Sequence, residues 1–252
     1  MSFDVAADAY DRFMGRYSRP LAPLLADLAG VDAGDRVLDV GCGPGALTAE
    51  LVRRLGPGAV SAVDPSAPFV AALRERLPEV EVTQASAEQL PFANGSFDAA
   101  LAQLVVHFMA DPVAGLRELG RVTRAGGTVA ACVWDHAGGR GPLSPYWRAV
   151  RRLHPGADDE SGRPGAVAGE LAELCRAAGL TVLADTYLAV GVEHATFEEW
   201  WEPYTLGVGP AGGFARGLDP EALAELREAC RELLPPAPFV VTAGAWAVRA
   251  RP

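Results

Sequence analysis

A chain of 252 residues with 50% hydrophobic and 21% charged residues can bury one large core, so a single α/β unit over residues 1–252 is expected. The net charge is −10 and all 22 basic residues are arginines, scattered along the chain, which argues against nucleic acid as a partner because phosphate binding draws on clustered Lys and Arg. No apolar run approaches the ~18 residues of a membrane span, and Cys42, Cys132, Cys175 and Cys230 form no CxxC pair, which points to neither a zinc site nor a disulfide framework.

The chain opens on an acidic stretch with no basic region followed by an apolar one, unlike a secretory signal, and the cytoplasm is the expected compartment. Residues 9–20, AYDRFMGRYSRP, alternate aromatic and basic side chains just before a helix expected to begin near Pro20. Residues 37–45, VLDVGCGPG, then join a buried strand to three alternating glycines, Gly41, Gly43 and Gly45, which permit a tight turn. Residues 46–55 carry Leu47, Leu51, Val52 and Leu55 at helical spacing, so the turn opens onto a helix N-terminus, whose unpaired amides attract an anion.

A GxGxxG dinucleotide loop is the rival reading, but the spacing here is GxGxG and Asp39 would repel a pyrophosphate. A zwitterion suits the loop better, with its carboxylate toward the amides and its ammonium toward Asp39. S-adenosylmethionine has that layout. Residues 38–45 resemble the LDxGCGxG cofactor loop of class I S-adenosylmethionine-dependent methyltransferases, and the match is complete. A glycine turn that holds no ligand is the plainer alternative.

Residues 60–66, VSAVDPS, form a second strand that ends in Asp64, at the spacing of one βαβ unit. A carboxylate there accepts hydrogen bonds from a ribose diol, although Asp64 by itself also fits NAD or a helix cap before Pro65. Residues 85–112 resemble the family's adenine-side stretch. The resemblance implies cofactor contacts from Ser86, Ala87, Glu88 and Gln103, with Ser86 standing where the family often has Asp. It also implies that the segment 1–19 covers the cofactor, with Tyr10, Arg16 or Tyr17 near its carboxylate or sulfonium. Cys42 and Pro65 complete the expected cofactor set.

Strands are expected at 59–64, 80–84, 99–105, 128–134, 180–192 and 239–249, alternating with helices. Together with the first strand they make a Rossmann-like seven-stranded, mostly parallel sheet with helices on both faces. The resemblance implies that the last strand is antiparallel beside the sixth. Residues 135–169 and 193–238 exceed the minimal alternation and read as helical lids over the substrate. Trp134, Trp200, Trp201 and Tyr204 are candidates for a substrate pocket, with core packing an equal explanation of the aromatics of the second lid.

In-line methyl transfer needs a general base only when the nucleophile is protonated, and His107 and His136 are the candidates. The expected partner is a small organic acceptor such as a phenolic or polyketide-like secondary metabolite, with a homodimer left open and neither nucleic acid, membrane nor metal. Three alternatives stand beside this reading. They are a noncatalytic S-adenosylmethionine-binding protein, an NAD-dependent oxidoreductase, and a protein or RNA methyltransferase. The last lacks support because Gln103, Leu104, Val105 and Val106 stand where an NPPY-like tetrad would follow the fourth strand.

Overall fold

The computed structural model describes residues 7–252, so residues 1–6 of the expected cover lie outside the described residues. The chain enters through α1 (Ala7–Tyr10), a π turn (Asp11–Gly15) and α2 (Arg16–Ala29). The helical run thus begins well before Pro20. Phe13, Met14, Tyr17, Leu21 and Leu25 are buried in the core on that side of the sheet. Tertiary burial of this face holds Pro20 and Pro23 inside the helix, overriding their tendency to start or break one.

The remaining elements follow in order: β1 (Val37–Val40), α3 (Ala46–Leu55), β2 (Val60–Asp64), α4 (Ala67–Arg76), β3 (Glu81–Gln84), β4 (Phe97–Gln103), α5 (Pro112–Val122) and β5 (Thr123–Trp134). Then come α6 (Ser144–Leu153), α7 (Glu170–Ala177), β6 (Thr181–His194), α8 (Phe197–Trp201), α9 (Gly209–Arg216), α10 (Pro220–Leu233) and β7 (Phe239–Arg251). The sheet order is β3-β2-β1-β4-β5-β7-β6. Six strands run parallel, and β7 lies antiparallel between β5 and β6.

Side chains alternate across the strands. Val37 and Ala62 join the core under α2, α3 and α4, while Leu38 and Val63 join the opposite core under α5 and α7. The two long additions meet on the first of these faces. The Tyr146 hydroxyl donates to the Ala211 carbonyl at 2.9 Å, and Arg152 pairs with Glu232 at 2.8 Å, so α6 packs on α9 and α10. Asp219 caps α10 by accepting from the Ala222 amide at 2.9 Å.

The order of strands reverses between β1 and β4, which lie side by side although β2 and β3 intervene in the chain. Open α/β sheets bind ligands beyond the C-terminal ends of their strands at such a switch point.

Candidate functional site

A cavity of about 380 Å³ lies at that switch point, lined among others by Tyr10, Gly41, Gly43, Asp64, Phe69 and Gln103. The three loop glycines all have positive φ, +70° at Gly41, +52° at Gly43 and +99° at Gly45. A Cβ on Gly41 would come within 2.4 Å of Val105, and one on Gly45 within 2.4 Å of Leu73. A Cβ on Gly43 would meet nothing within 4 Å. Packing therefore requires glycine at two of the positions, whereas Gly43 leaves its open side on the cavity.

The Asp64 side chain, 6% exposed, accepts from the Gly43 amide through Oδ2 at 2.9 Å and from the Ser66 amide through Oδ1 at 2.8 Å. Burial raises its pKa, against the lowering effect of these two bonds. Each carboxylate oxygen keeps a second lone-pair site for a ligand hydroxyl. Gln103 donates from Nε2 to the Ser18 carbonyl at 3.0 Å, and its buried Oε1 has no partner. An unpaired buried acceptor costs about 1–3 kcal/mol. Such groups call for a specific explanation.

Two expectations about the loop change. The amides of Gly41 and Cys42 donate to the Val63 carbonyl, that of Gly43 to Asp64, and that of Gly45 to the Cys42 carbonyl. The loop amides are thus spent internally and do not face a ligand carboxylate. Asp39 is 1% exposed beneath the turn, accepts from the Thr48 hydroxyl at 2.6 Å and is absent from the cavity wall. Burial pushes its pKa up to about 7, with the Thr48 bonds opposing the shift and Asp64 adding to it. Its bonds to Thr48 place it against the first turn of α3, where a ligand carboxylate was expected.

A narrower cavity of about 40 Å³ adjoins the first and shares Tyr10, Leu104 and Phe108 with it. His107, Trp134 and His136 line it, and the two imidazole rings meet edge to face with centroids 5.6 Å apart. Burial dominates both histidines, lowering the pKa of His107 well below the ordinary value and that of His136 to about 4, so both are neutral near pH 7. The same wall holds Glu160, 4% exposed, whose carboxylate accepts from Trp147 Nε1 at 3.0 Å and whose pKa is raised by burial.

Leu104 at φ +63° and Glu160 at φ +52° are the non-glycine residues with positive φ among the described residues, and both line this cavity. The left-handed region costs a residue with a Cβ roughly 1–2 kcal/mol. The Leu104 amide is held in place by the Cys132 carbonyl at 2.9 Å. The sequence assigned neither residue to the site, because nothing in a leucine or in a run of acids signals a positive φ.

Of the other expected site residues, Pro65 lines the larger cavity and Trp134 the smaller, and the rest fall elsewhere. Arg16 Nη1 donates to His194 Nδ1 at 2.8 Å, and the Tyr17 hydroxyl bonds to His194 Nε2 at 3.0 Å, so both side chains tie α2 to the end of β6. Cys42 and Pro65 part company, with Cys42 buried behind the turn and Pro65 on the cavity wall. Ser86, Ala87 and Glu88 do not line either cavity, and Glu88 instead accepts from the Ala110 amide at 2.8 Å. Of the four substrate-pocket candidates, Trp134 alone lines the cavity that holds the histidines. Trp200 and Trp201 are buried among Phe197 and Tyr204, and Tyr204 stacks on Tyr146 at 4.4 Å. These rings join the second addition to the core, which is the bland explanation realised.

The glycine turn after β1, the acid ending β2 and a cavity across the β1/β4 switch define a Rossmann-like α/β domain of the methyltransferase type. Residues 38–131 match the methyltransferase domain family. The matched segment runs from β1 into β5 and carries the glycine turn, Asp64 and Gln103. The chain is similar to a ubiquinone/menaquinone biosynthesis C-methyltransferase of Bdellovibrio bacteriovorus, with 38% identity over 109 residues, 42% of this chain and 46% of that one. The chain spans about half the length of the curated relatives it matches.

Solved structures of the same fold include a geranyl diphosphate C-methyltransferase from Streptomyces coelicolor in complex with Mg2+, geranyl diphosphate and S-adenosyl-L-homocysteine. It has a TM-score of 0.56 and 16% identity, over 94% of this chain and 80% of that one. The [4+2]-cyclase SpnF has a TM-score of 0.58 and 23% identity, over 93% and 80%. The fold therefore houses more than one kind of reaction, and function has to be argued from the site.

Proposed function

We propose that the protein transfers a methyl group from S-adenosylmethionine to a small organic acceptor. When bound, S-adenosylmethionine supplies a methyl group already activated by its sulfonium. The open side of Gly43, facing the same cavity as the Asp64 carboxylate, is the observation that carries this reading. Gly43 lets a nucleoside approach the backbone, Asp64 has lone pairs left for a ribose diol, and the unpartnered Gln103 Oε1 is suited to an ammonium group. Tyr10, Pro65 and Phe69 give the cavity an apolar rim for an adenine ring. Gly41 lines the cavity wall beside Gly43, while Asp39, Cys42 and Gly45 act one layer back, shaping the turn.

Alignment supplies most of what the protein must add to such a displacement, as much as ~7–11 kcal/mol for well-held reactants. Leu143, Glu160 and Val208 of the two additions wall the second cavity, where the acceptor would lie. Four free, buried cysteines accord with a reducing compartment such as the cytoplasm, and among the described residues no helix is long and apolar enough to cross a membrane.

Calorimetric titration with S-adenosylmethionine, S-adenosylhomocysteine and NAD, each alone, tests the reading. Micromolar binding of the first two without NAD is the expected result. Binding of NAD alone, or of none, overturns it.

A further inference from the structure

The second cavity makes demands of its own. Phe13, Met14, Leu143 and Val208 give it apolar walls, and its described lining contains no arginine but one carboxyl group, Glu160. Three buried nitrogens on lining residues have no hydrogen-bond partner, namely Trp134 Nε1, His107 Nδ1 and His136 Nε2. An indole nitrogen can only donate, so Trp134 calls for an acceptor oxygen on the ligand. A neutral imidazole carries one donor and one acceptor, so either histidine can receive a hydroxyl proton in a hydrogen bond.

Charge in the neighbourhood is balanced rather than cationic. Arg163, whose charge is felt by both histidines and by Glu160, lies over the Phe108 ring at 5.8 Å, while Asp135 and Asp159 oppose it at His136. A carboxylate or phosphate would lose its water and meet Glu160 with no cation in the wall. The volume, about 40 Å³, admits only the reacting end of a molecule.

We infer that this cavity is the acceptor subsite and that it takes an uncharged ring compound bearing a hydroxyl beside a carbonyl. The carbonyl oxygen accepts from Trp134 Nε1, and the hydroxyl lies between His107 and His136. The inference rests on reading the larger cavity as the cofactor site, which shares Tyr10, Leu104 and Phe108 with it.

The test titrates the full chain by calorimetry with ortho-hydroxyacetophenone and with salicylate, each with and without saturating S-adenosylhomocysteine. The ketone should bind, and salicylate should bind at least roughly tenfold more weakly; Trp134→Phe and His136→Phe should each weaken the ketone by roughly tenfold, the scale of one hydrogen bond, without altering S-adenosylhomocysteine affinity. Equal binding of the two probes, or a ketone affinity indifferent to both substitutions, overturns the subsite. If a variant does not fold, the imidazole resonances of the wild type decide. The ketone must shift those of His107 and His136 and leave His154 unmoved, and unmoved signals at all three overturn the inference. Ketone binding with these shifts in a protein that takes no S-adenosylhomocysteine keeps the subsite and removes the cofactor reading. S-adenosylhomocysteine binding without ketone binding does the reverse.

Discussion

At Gly43 the backbone adopts φ +52° and a side chain would project into open space, whereas at Gly41 and Gly45 it would strike Val105 or Leu73 at 2.4 Å. The three glycines of one motif should therefore answer differently to the same substitution. Gly41→Ala and Gly45→Ala combine a left-handed backbone with overpacking and should lower stability by roughly 2–5 kcal/mol. Gly43→Ala carries only the backbone cost, about 1–2 kcal/mol. Its larger effect should fall on cofactor affinity, because the added methyl occupies the surface that the ligand approaches. Urea unfolding and S-adenosylhomocysteine titration of the three variants separate the two effects. Equal loss of affinity per unit of lost stability in all three would show that Gly43 has no contact with ligand.

Among the elements, α2 is fastened to the end of β6 by one imidazole. Arg16 can only donate, so His194 Nδ1 accepts and its Nε2 carries the proton that is offered to the Tyr17 oxygen. That arrangement requires a neutral ring. Burial, aided by Arg16 and opposed by Glu199, lowers the His194 pKa to about 4, below the ordinary 6.5. In the window between those two values the unfolded chain binds the proton more readily than the folded one, so the stability contributed by neutral His194 is present above about 6.5 and is lost as pH falls toward 4. Hydrogen exchange over Arg16–Ala29 should accelerate from neutral pH to pH about 5, beyond the intrinsic pH effect, and His194→Gln should flatten this dependence. Protection that falls identically in both proteins would place the acid-sensitive contact elsewhere.

This fastening was not legible in the sequence, and the reason is physical. Periodicity located the strands of the sheet within a few residues, and it placed α3 and the cap of α10, since each of those signals is local. Arg16 and His194 are far apart in sequence, and no local pattern announces that they meet. The aromatics of residues 197–204 were equally open, because a ring in a helix looks the same whether it faces a ligand or the core. Their stacking on Tyr146 came from packing between the two additions. Likewise the glycine turn was readable from GxGxG, while the spending of its amides on Val63 and Asp64 depends on how β1 and β2 are registered.

Across the whole molecule, the larger cavity is assembled from segments that lie near one another only in the folded state. Tyr10 comes from the N-terminal helix, Gly43 from the turn after β1, Asp64 from the end of β2 and Gln103 from the end of β4. An unfolded chain cannot present these groups together, so a ligand of this cavity binds the native state alone and shifts the unfolding equilibrium by mass action. At a concentration one hundred times its Kd, S-adenosylhomocysteine should add about 2.7 kcal/mol to stability. For a chain of this size that corresponds to a Tm increase of roughly 5–10 °C. NAD at the same concentration should leave Tm unchanged, and Gly43→Val, with its branched side chain in the cavity, should unfold at one temperature with or without S-adenosylhomocysteine. Differential scanning calorimetry reads all of these on one scale. A Tm increase that survives in the Gly43 variant would mean that the ligand binds elsewhere in the fold, and the assignment of the β1/β4 switch point would fall with it.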